Sequence, residues 1–301
     1  MSRTIHPLRG LIAVVLVAST LGACSPSNEG VSEPSKVGVS EPSKVGVSDP
    51  ALLQCIEETL VVSAGDPITQ ADMETLIELK CQQAGVVSLS GLEAATNLTD
   101  LDLFADAIVD LSPLAGLTNL TKLVLSGNAI VDLSPLAGLT NLTNLYLSGN
   151  AIVDLSPLAG LTNLGQFYLS GSQIVDVSPL AGLTNLFSLD LATNGIVDMS
   201  PLAGLTNLTE LDLHTNQIVD VSPLAALTNL ISLDLNNNKI VDVSPLAGLT
   251  SLTELYLHDN EIVDVSPLAG LTNLTALYLG GNPVTDLSSL AGLDAGVVVD
   301  D

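Results

Sequence analysis

An α/β solenoid is the predicted fold: stacked coils, each a short strand and a return limb, with the parallel strands lining one concave sheet. Three observations predict it. Between Asn97 and Leu293 one 22-residue phrase recurs nine times, and a fixed period of that length belongs to architectures whose units pack only on their neighbours. Leu98, Leu101 and Leu103 of the first copy return as Leu120, Leu123 and Leu125, and finally as Leu274, Leu277 and Leu279. Three residues past the last leucine of a copy stands an asparagine, at Asn128, Asn150, Asn194, Asn216, Asn238, Asn260 and Asn282.

Each element of a coil follows from these residues. Leu145 and Leu147 alternate with outward positions, the period of two that a half-buried strand requires. The asparagine amide can satisfy backbone groups of its own turn and of neighbouring coils, as a buried polar group must; Asp106 and Ser172 hold the same slot and can do part of that work. In the return limb from Ile152 to Leu161, Ser156 suits a helix N-cap and Pro157 the first helical position. A one-turn or 3₁₀ helix on the convex side is therefore expected. Gly116, Gly138 and Gly160 recur with the period and read as turn residues, and the Asn-Leu-Thr triplets read as packing elements.

The combined wording, Leu-x-x-Leu-x-Leu-x-x-Asn followed by Ile-Val-Asp-Leu-Ser-Pro-Leu-Ala-Gly-Leu-Thr-Asn from Ile130 to Asn141, resembles the internalin-type leucine-rich repeats of bacterial surface proteins. The resemblance implies a leucine-rich-repeat horseshoe whose concave face grips a protein or other macromolecule. Unlike the larger internalins, the sequence carries no recognisable immunoglobulin-like module or wall-anchoring motif after the repeats, which argues against host-cell invasion.

Ahead of the repeats, Arg3 and Arg9 precede an apolar stretch from Leu11 to Ala18, too short to span a bilayer but suited to an export signal. Leu21-Gly22-Ala23-Cys24 looks like a bacterial lipoprotein processing box, so residues 1–23 are expected to be removed and Cys24 lipidated; an ordinary signal cut beside an incidental Cys24 is the other reading. Residues 24–48, with Val31-Ser32-Glu33-Pro34-Ser35-Lys36 echoed from Val39 to Lys44, read as a disordered or polyproline-like stalk. Its reach is roughly 30 Å as a coil and about 80 Å extended. Residues 49–75 are expected to cap the solenoid. Asp49 and Pro50 begin one helix with Leu52, Leu53, Ile56 and Leu60 along a face, and Thr69 with Asp72 begins another. From residue 76 to 301 the chain is solenoid, with Leu76, Leu79 and Cys81 as an imperfect first rung. With Cys24 assigned to lipid, Cys55 and Cys81 are the remaining thiols, expected to form a disulfide worth about 3 to 4 kcal/mol; a free buried pair is the alternative. Val297 to Val299 fall where a last short strand would begin.

The formal charge is −26, and without Arg3 and Arg9 it becomes −28. Such a surface repels nucleic acid and anionic headgroups, so membrane attachment is expected through the lipid anchor alone. One acidic column, Asp110, Asp132, Asp154, Asp176, Asp198, Asp220, Asp242, Asp264 and Asp286, repeats near the Ser-Pro turn at about 4.8 Å. Carboxylates that close require backbone or hydroxyl hydrogen bonds, or divalent cations between them.

Function is expected on the outward strand positions. The residue between the inward leucines reads Asp102, Val124, Tyr146, Tyr168, Asp190, Asp212, Asp234, Tyr256 and Tyr278, a column holding all four tyrosines of the chain. Tyrosine held outward on a rigid sheet offers contact area at low entropic cost, although strand propensity alone also favours it. Phe104, His214 and His258 follow the second leucine of their coils, Glu210 and Glu254 stand in a flanking column, and the two tyrosine pairs bracket an acidic centre at Asp190, Asp212 and Asp234. His214 and His258 stand roughly 10 Å apart, too far to ligate one ion together, and no metal or cofactor is expected. No catalytic triad, Gly-rich phosphate loop or zinc-spaced ligand set is present. The expectation is a monomeric envelope lipoprotein, not an enzyme, that binds a basic or polar protein or glycan; a structural spacer with no specific ligand is the alternative.

Overall fold

A computed structural model describes residues 44–63 and 65–293, with the backbone of Val298–Asp300. The expected signal segment, Cys24 and the stalk up to residue 43 lie outside the described residues. Eleven three-residue strands form one parallel sheet in chain order: β1 (Glu78–Lys80), β2 (Asp100–Asp102), β3 (Lys122–Val124), β4 (Asn144–Tyr146), β5 (Gln166–Tyr168), β6 (Ser188–Asp190), β7 (Glu210–Asp212), β8 (Ser232–Asp234), β9 (Glu254–Tyr256), β10 (Ala276–Tyr278) and β11 (Val298–Asp300). The register is one repeat per step, Leu79 opposite Leu101 and Leu101 opposite Leu123. The result is a leucine-rich-repeat horseshoe with 3₁₀ turns on its convex side.

The inward leucines make the core. Leu145 and Leu147 are fully buried, and Phe167 fills the equivalent place in β5. At seven coil corners an asparagine closes the turn. Asn150 Nδ2 donates to the carbonyls of Leu125 at 3.0 Å and Leu147 at 2.7 Å, while its Oδ1 accepts from the Ile130 N–H at 3.0 Å. Asp106 performs half of this: Oδ1 accepts from Gly85 and Val86 N–H, whereas Oδ2 is buried without a partner. The Asn-Leu-Thr triplets form a second ladder, Asn119 Nδ2 donating to the Thr96 carbonyl at 2.9 Å and Asn141 Nδ2 to Thr118 at 2.8 Å.

Serine does not cap the return-limb turns as the sequence led us to expect. Ser156 is instead the first residue of its 3₁₀ turn, Ser156–Leu158. Its N–H and Oγ both donate to Asp154, at 2.8 and 2.9 Å. The acidic column thus supplies the acceptor that the serine hydroxyl was expected to provide. These hydrogen bonds hold the carboxyls of Asp132, Asp176 and Asp242 below the ordinary aspartate value.

The N-terminal cap consists of α1 (Pro50–Leu60) and α2 (Gln70–Met73). Asp49 joins it to the first coil: Oδ1 accepts from the Ala51 and Leu52 N–H groups, and Oδ2 from those of Val87 and Ser88. Burial raises this carboxyl, but the four donors together bring it below the ordinary value. Leu52 and Ile56 are fully buried, while Leu53 and Leu60 are only half-buried, so the apolar face is narrower than the sequence implied. Thr69 and Asp72 form the expected capping box, and Cys55 and Cys81 form a disulfide across a Cα separation of 5.7 Å. Residues 44–48, assigned above to the stalk, instead pack on the cap. The Val45 N–H donates to the Ile68 carbonyl at 2.9 Å, and Val45 and Val47 rest on the core. Their apolar area and this backbone pairing offset the entropy of ordering them. Val47 lies so close over Gly91, itself at φ 97°, that a Cβ there would come within 2.9 Å of it. Among the described residues no helix is long and apolar enough to cross a membrane.

Candidate concave-face interface

Alternation in the strands determines which side chains face out. From β2 to β10 the middle residue of each strand is buried, and the third emerges half-buried on the concave face. Asp102, Val124, Tyr146, Tyr168, Asp190, Asp212, Asp234, Tyr256 and Tyr278 therefore stand in one register across β2 to β10. The tyrosines pair across neighbouring strands. Tyr146 and Tyr168 meet edge to face at 5.0 Å, and Tyr256 and Tyr278 stack at 4.8 Å. Their hydroxyls are held: Tyr146 donates to Gln166 Oε1, Tyr168 pairs with Ser188 Oγ, and Ser188 Oγ donates to Glu210 Oε2, each at 2.9 Å.

Between the pairs lies an open groove of about 450 Å³, bounded by Tyr168 and Tyr256 and floored by Asp190, Asp212 and Asp234, with Ser188, Glu210, Ser232 and Glu254 along one side. Burial raises the carboxyls of Asp190 and Asp234 above their ordinary value, and the charge of Asp212 between them adds to the shift. N–H groups of Ala192 and Asn236, both at 2.9 Å, oppose it. Asp212 Oδ1 accepts from the His214 N–H at 3.0 Å and meets its Nδ1 at 2.7 Å. The floor is thus an acidic strip with one imidazole beside it.

His258 has different company. Its N–H donates to Asn236 Oδ1 at 2.6 Å, and its ring lies 5.3 Å from that of Tyr278. Asp102 and Phe104 are not brought to the groove; they lie at β2, where Asp102 shares a shallow hollow with Lys80 and Lys122. Tyr146 and Tyr278 do not line the groove, but each supports a tyrosine that does. For a cation, Asp212, His214 and Asp234 offer ligand atoms within 4.8 Å of one another. The coil spacing of His214 and His258 gives no sign of this trio, because it is the turn after β7 that brings His214 onto Asp212.

Two exposed apolar residues next in sequence to the groove lining carry no signal in the strand alternation. Phe187 and Ile231, 45% and 46% exposed, immediately precede the groove residues Ser188 and Ser232. In six other coils threonine holds that slot, at Thr99, Thr121, Thr143, Thr209, Thr253 and Thr275, so departure from threonine was the available signal. Gly165 makes room for the Phe187 ring, which a Cβ there would approach to 2.7 Å. A second column was also missed. The residue after the outward turn has positive φ from the first coil on: Gln83 and Ala105 in the first two coils, glycine at Gly127, Gly149, Gly171 and Gly281, and Thr193, Thr215, Asn237 and Asp259 in the coils around the groove. Side chains are kept there in a conformation that costs a non-glycine residue on the order of 1 kcal/mol.

The sequence family described as Leucine Rich repeats (2 copies) matches residues 96–138, 118–160, 140–182, 184–226, 206–248, 228–270 and 250–292. No curated protein matches the chain. Among solved structures, an internalin of Listeria monocytogenes is 33% identical with a TM-score of 0.68, over 87% of this chain and 98% of its own. Internalin C2 of the same organism is 42% identical with a TM-score of 0.70, over 73% of this chain and 98% of its own. A plant peptide hormone receptor solved in complex with RGF2 is 25% identical with a TM-score of 0.61, over 67% of this chain and 35% of its own. The matched family is a repeat scaffold and not a catalytic domain. With repeats matched along most of its length, and two internalins overlaid almost end to end, this chain belongs to the leucine-rich-repeat family as an internalin-like member.

Proposed function

We propose that this protein is an exported bacterial envelope lipoprotein, anchored through Cys24 and spaced from the membrane by its Pro- and Ser-containing stalk, that binds a protein or glycan partner on the concave face. One observation carries the reading: the four tyrosines stand in two ordered pairs on either side of a groove floored by Asp190, Asp212 and Asp234. Ordered aromatics beside desolvated charge are the composition of a contact surface. The partner is basic or polar, because acidic side chains floor the groove and no lysine or arginine among the described residues lines it. The protein acts as a monomer whose only membrane attachment is its lipid.

A spacer without a specific ligand is the second reading. It is favoured by the constancy of the coils, in which the Asn119, Asn141, Asn163 and Asn185 bonds to the preceding coil all measure 2.8 to 2.9 Å. Pull-down from envelope and host-surface extracts separates the two. The mature protein is compared with a variant carrying Tyr146, Tyr168, Tyr256 and Tyr278 changed to Ser. Selective loss of a partner by the variant is expected, and equal recovery of every partner by both proteins removes the proposal.

A further inference from the structure

We infer that the groove receives an extended cationic segment of a polypeptide, its basic side chains over Asp190, Asp212 and Asp234 and an apolar side chain against Phe187 or Ile231. The inference rests on the concave-face reading above and selects a polypeptide over a glycan.

Charge complementarity is the first argument. Five carboxylates, of Asp190, Glu210, Asp212, Asp234 and Glu254, line a groove to which no lysine or arginine among the described residues contributes. Asp190 and Asp234 accept single backbone N–H bonds that leave acceptor capacity unused. A guanidinium or ammonium set between them would replace like-charge repulsion with charge-assisted hydrogen bonds. A neutral sugar brings no such charge, and nucleic acid or anionic lipid brings the wrong one.

Length is the second. From Tyr168 to Tyr256 the column crosses four strand steps, roughly 19 Å at strand spacing, which about six residues of extended chain span. Alternate side chains of such a segment fall about 6.6 Å apart, so two basic residues can serve three carboxylates while a flanking one lies over a tyrosine face.

The apolar ledge is the third. Phe187 and Ile231 are exposed at the residues immediately preceding the groove strands β6 and β8, where six other coils place threonine. Phe187 is accommodated because Gly165 lacks a side chain. A polypeptide can set an aliphatic or aromatic side chain there while its basic residues occupy the floor.

The test is fluorescence anisotropy of the full chain with labelled heptapeptides: one of alternating Arg and Leu, one of alternating Arg and Ala, one of alternating Glu and Leu, and a neutral oligosaccharide. The Arg-Leu peptide is expected to bind tightest and the Glu-Leu peptide not at all. Phe187→Ser with Ile231→Ser should weaken the Arg-Leu peptide about tenfold toward the Arg-Ala value, a change of about 1.4 kcal/mol. Asp212→Asn should weaken both arginine peptides, with far-UV circular dichroism checking that each variant remains folded. Equal binding of the Glu-Leu peptide or the oligosaccharide, or indifference to the Phe187 and Ile231 changes, overturns the inference. If no peptide binds but the four-tyrosine variant still loses a partner in pull-down, the inference fails while the concave-face reading stands.

Discussion

Tyr256 and Tyr278 stack within 5° of parallel on adjacent strands, their ring centroids 4.8 Å apart. One residue before each, Leu255 and Leu277 are fully buried. The same two strands thus direct one set of side chains to cohesion and the other to solvent. Changing Tyr256 and Tyr278 to Ser removes a pair contact worth about 0.5 to 1.5 kcal/mol, so the urea midpoint should move little while partner capture falls. Leu255→Ala should cost about 2 to 5 kcal/mol, moving the same midpoint far more.

Asp106→Asn should stabilise the protein. In every other coil where asparagine holds this slot the amide nitrogen donates to backbone carbonyls, as Asn128 Nδ2 does to Leu103 and Leu125 at 2.9 Å. Asp106 Oδ2 is buried with no partner. Supplying the missing donor should raise stability by about 1 to 3 kcal/mol, read by urea denaturation. An unchanged or lowered midpoint would count against this account of the ladder.

The Cys55–Cys81 disulfide closes a loop of 26 residues, for which chain entropy gives about 3 to 4 kcal/mol. Coils contact only their neighbours, so the effect of reduction is expected to be local. Hydrogen exchange of the Cys55→Ser, Cys81→Ser variant should quicken in α1 and β1 and stay unchanged from β6 onward. Uniform acceleration along the chain would contradict a cap that acts as a separate cooperative unit.

The two acidic columns should respond oppositely to pH. On the convex side Asp132, Asp176 and Asp242 have lowered carboxyls, so they contribute stability above the ordinary value of 3.8 that is lost as pH falls through their lower folded values. In the groove Asp190 and Asp234 are raised, so the favourable contribution of their neutral forms is present below 3.8 and lost as pH rises through their folded values. Asp190→Asn should therefore raise Tm at about pH 7 and leave it unchanged near pH 3, where both side chains are neutral.

Leucine, asparagine and tyrosine periodicity made the coil, the ladder and the outward column legible, because a strand fixes sidedness by parity alone. What escaped depended on geometry that parity does not encode. The turn after β7 folds His214 back onto Asp212, two residues earlier, so counting coils between histidines could not reveal the contact. Phe187 and Ile231 lie one residue ahead of their strands, outside the alternation that singled out tyrosine. The stalk boundary moved because Val45 and Val47 find apolar area on a cap that exists only once α1, α2 and the first coil are assembled. Left-handed backbone was concealed at Thr215 and Asn237, residues that do not announce positive φ as Gly149 does.

Hydroxyl-radical footprinting of the mature protein, with and without a partner recovered by pull-down, tests most directly whether recognition occurs on the concave groove. Protection is expected at Tyr168, Tyr256 and Phe187, with the exposed convex residues Val131, Val153 and Val219 as reactive as in the free protein. Protection confined to those valines, with the tyrosines fully reactive, would contradict the account.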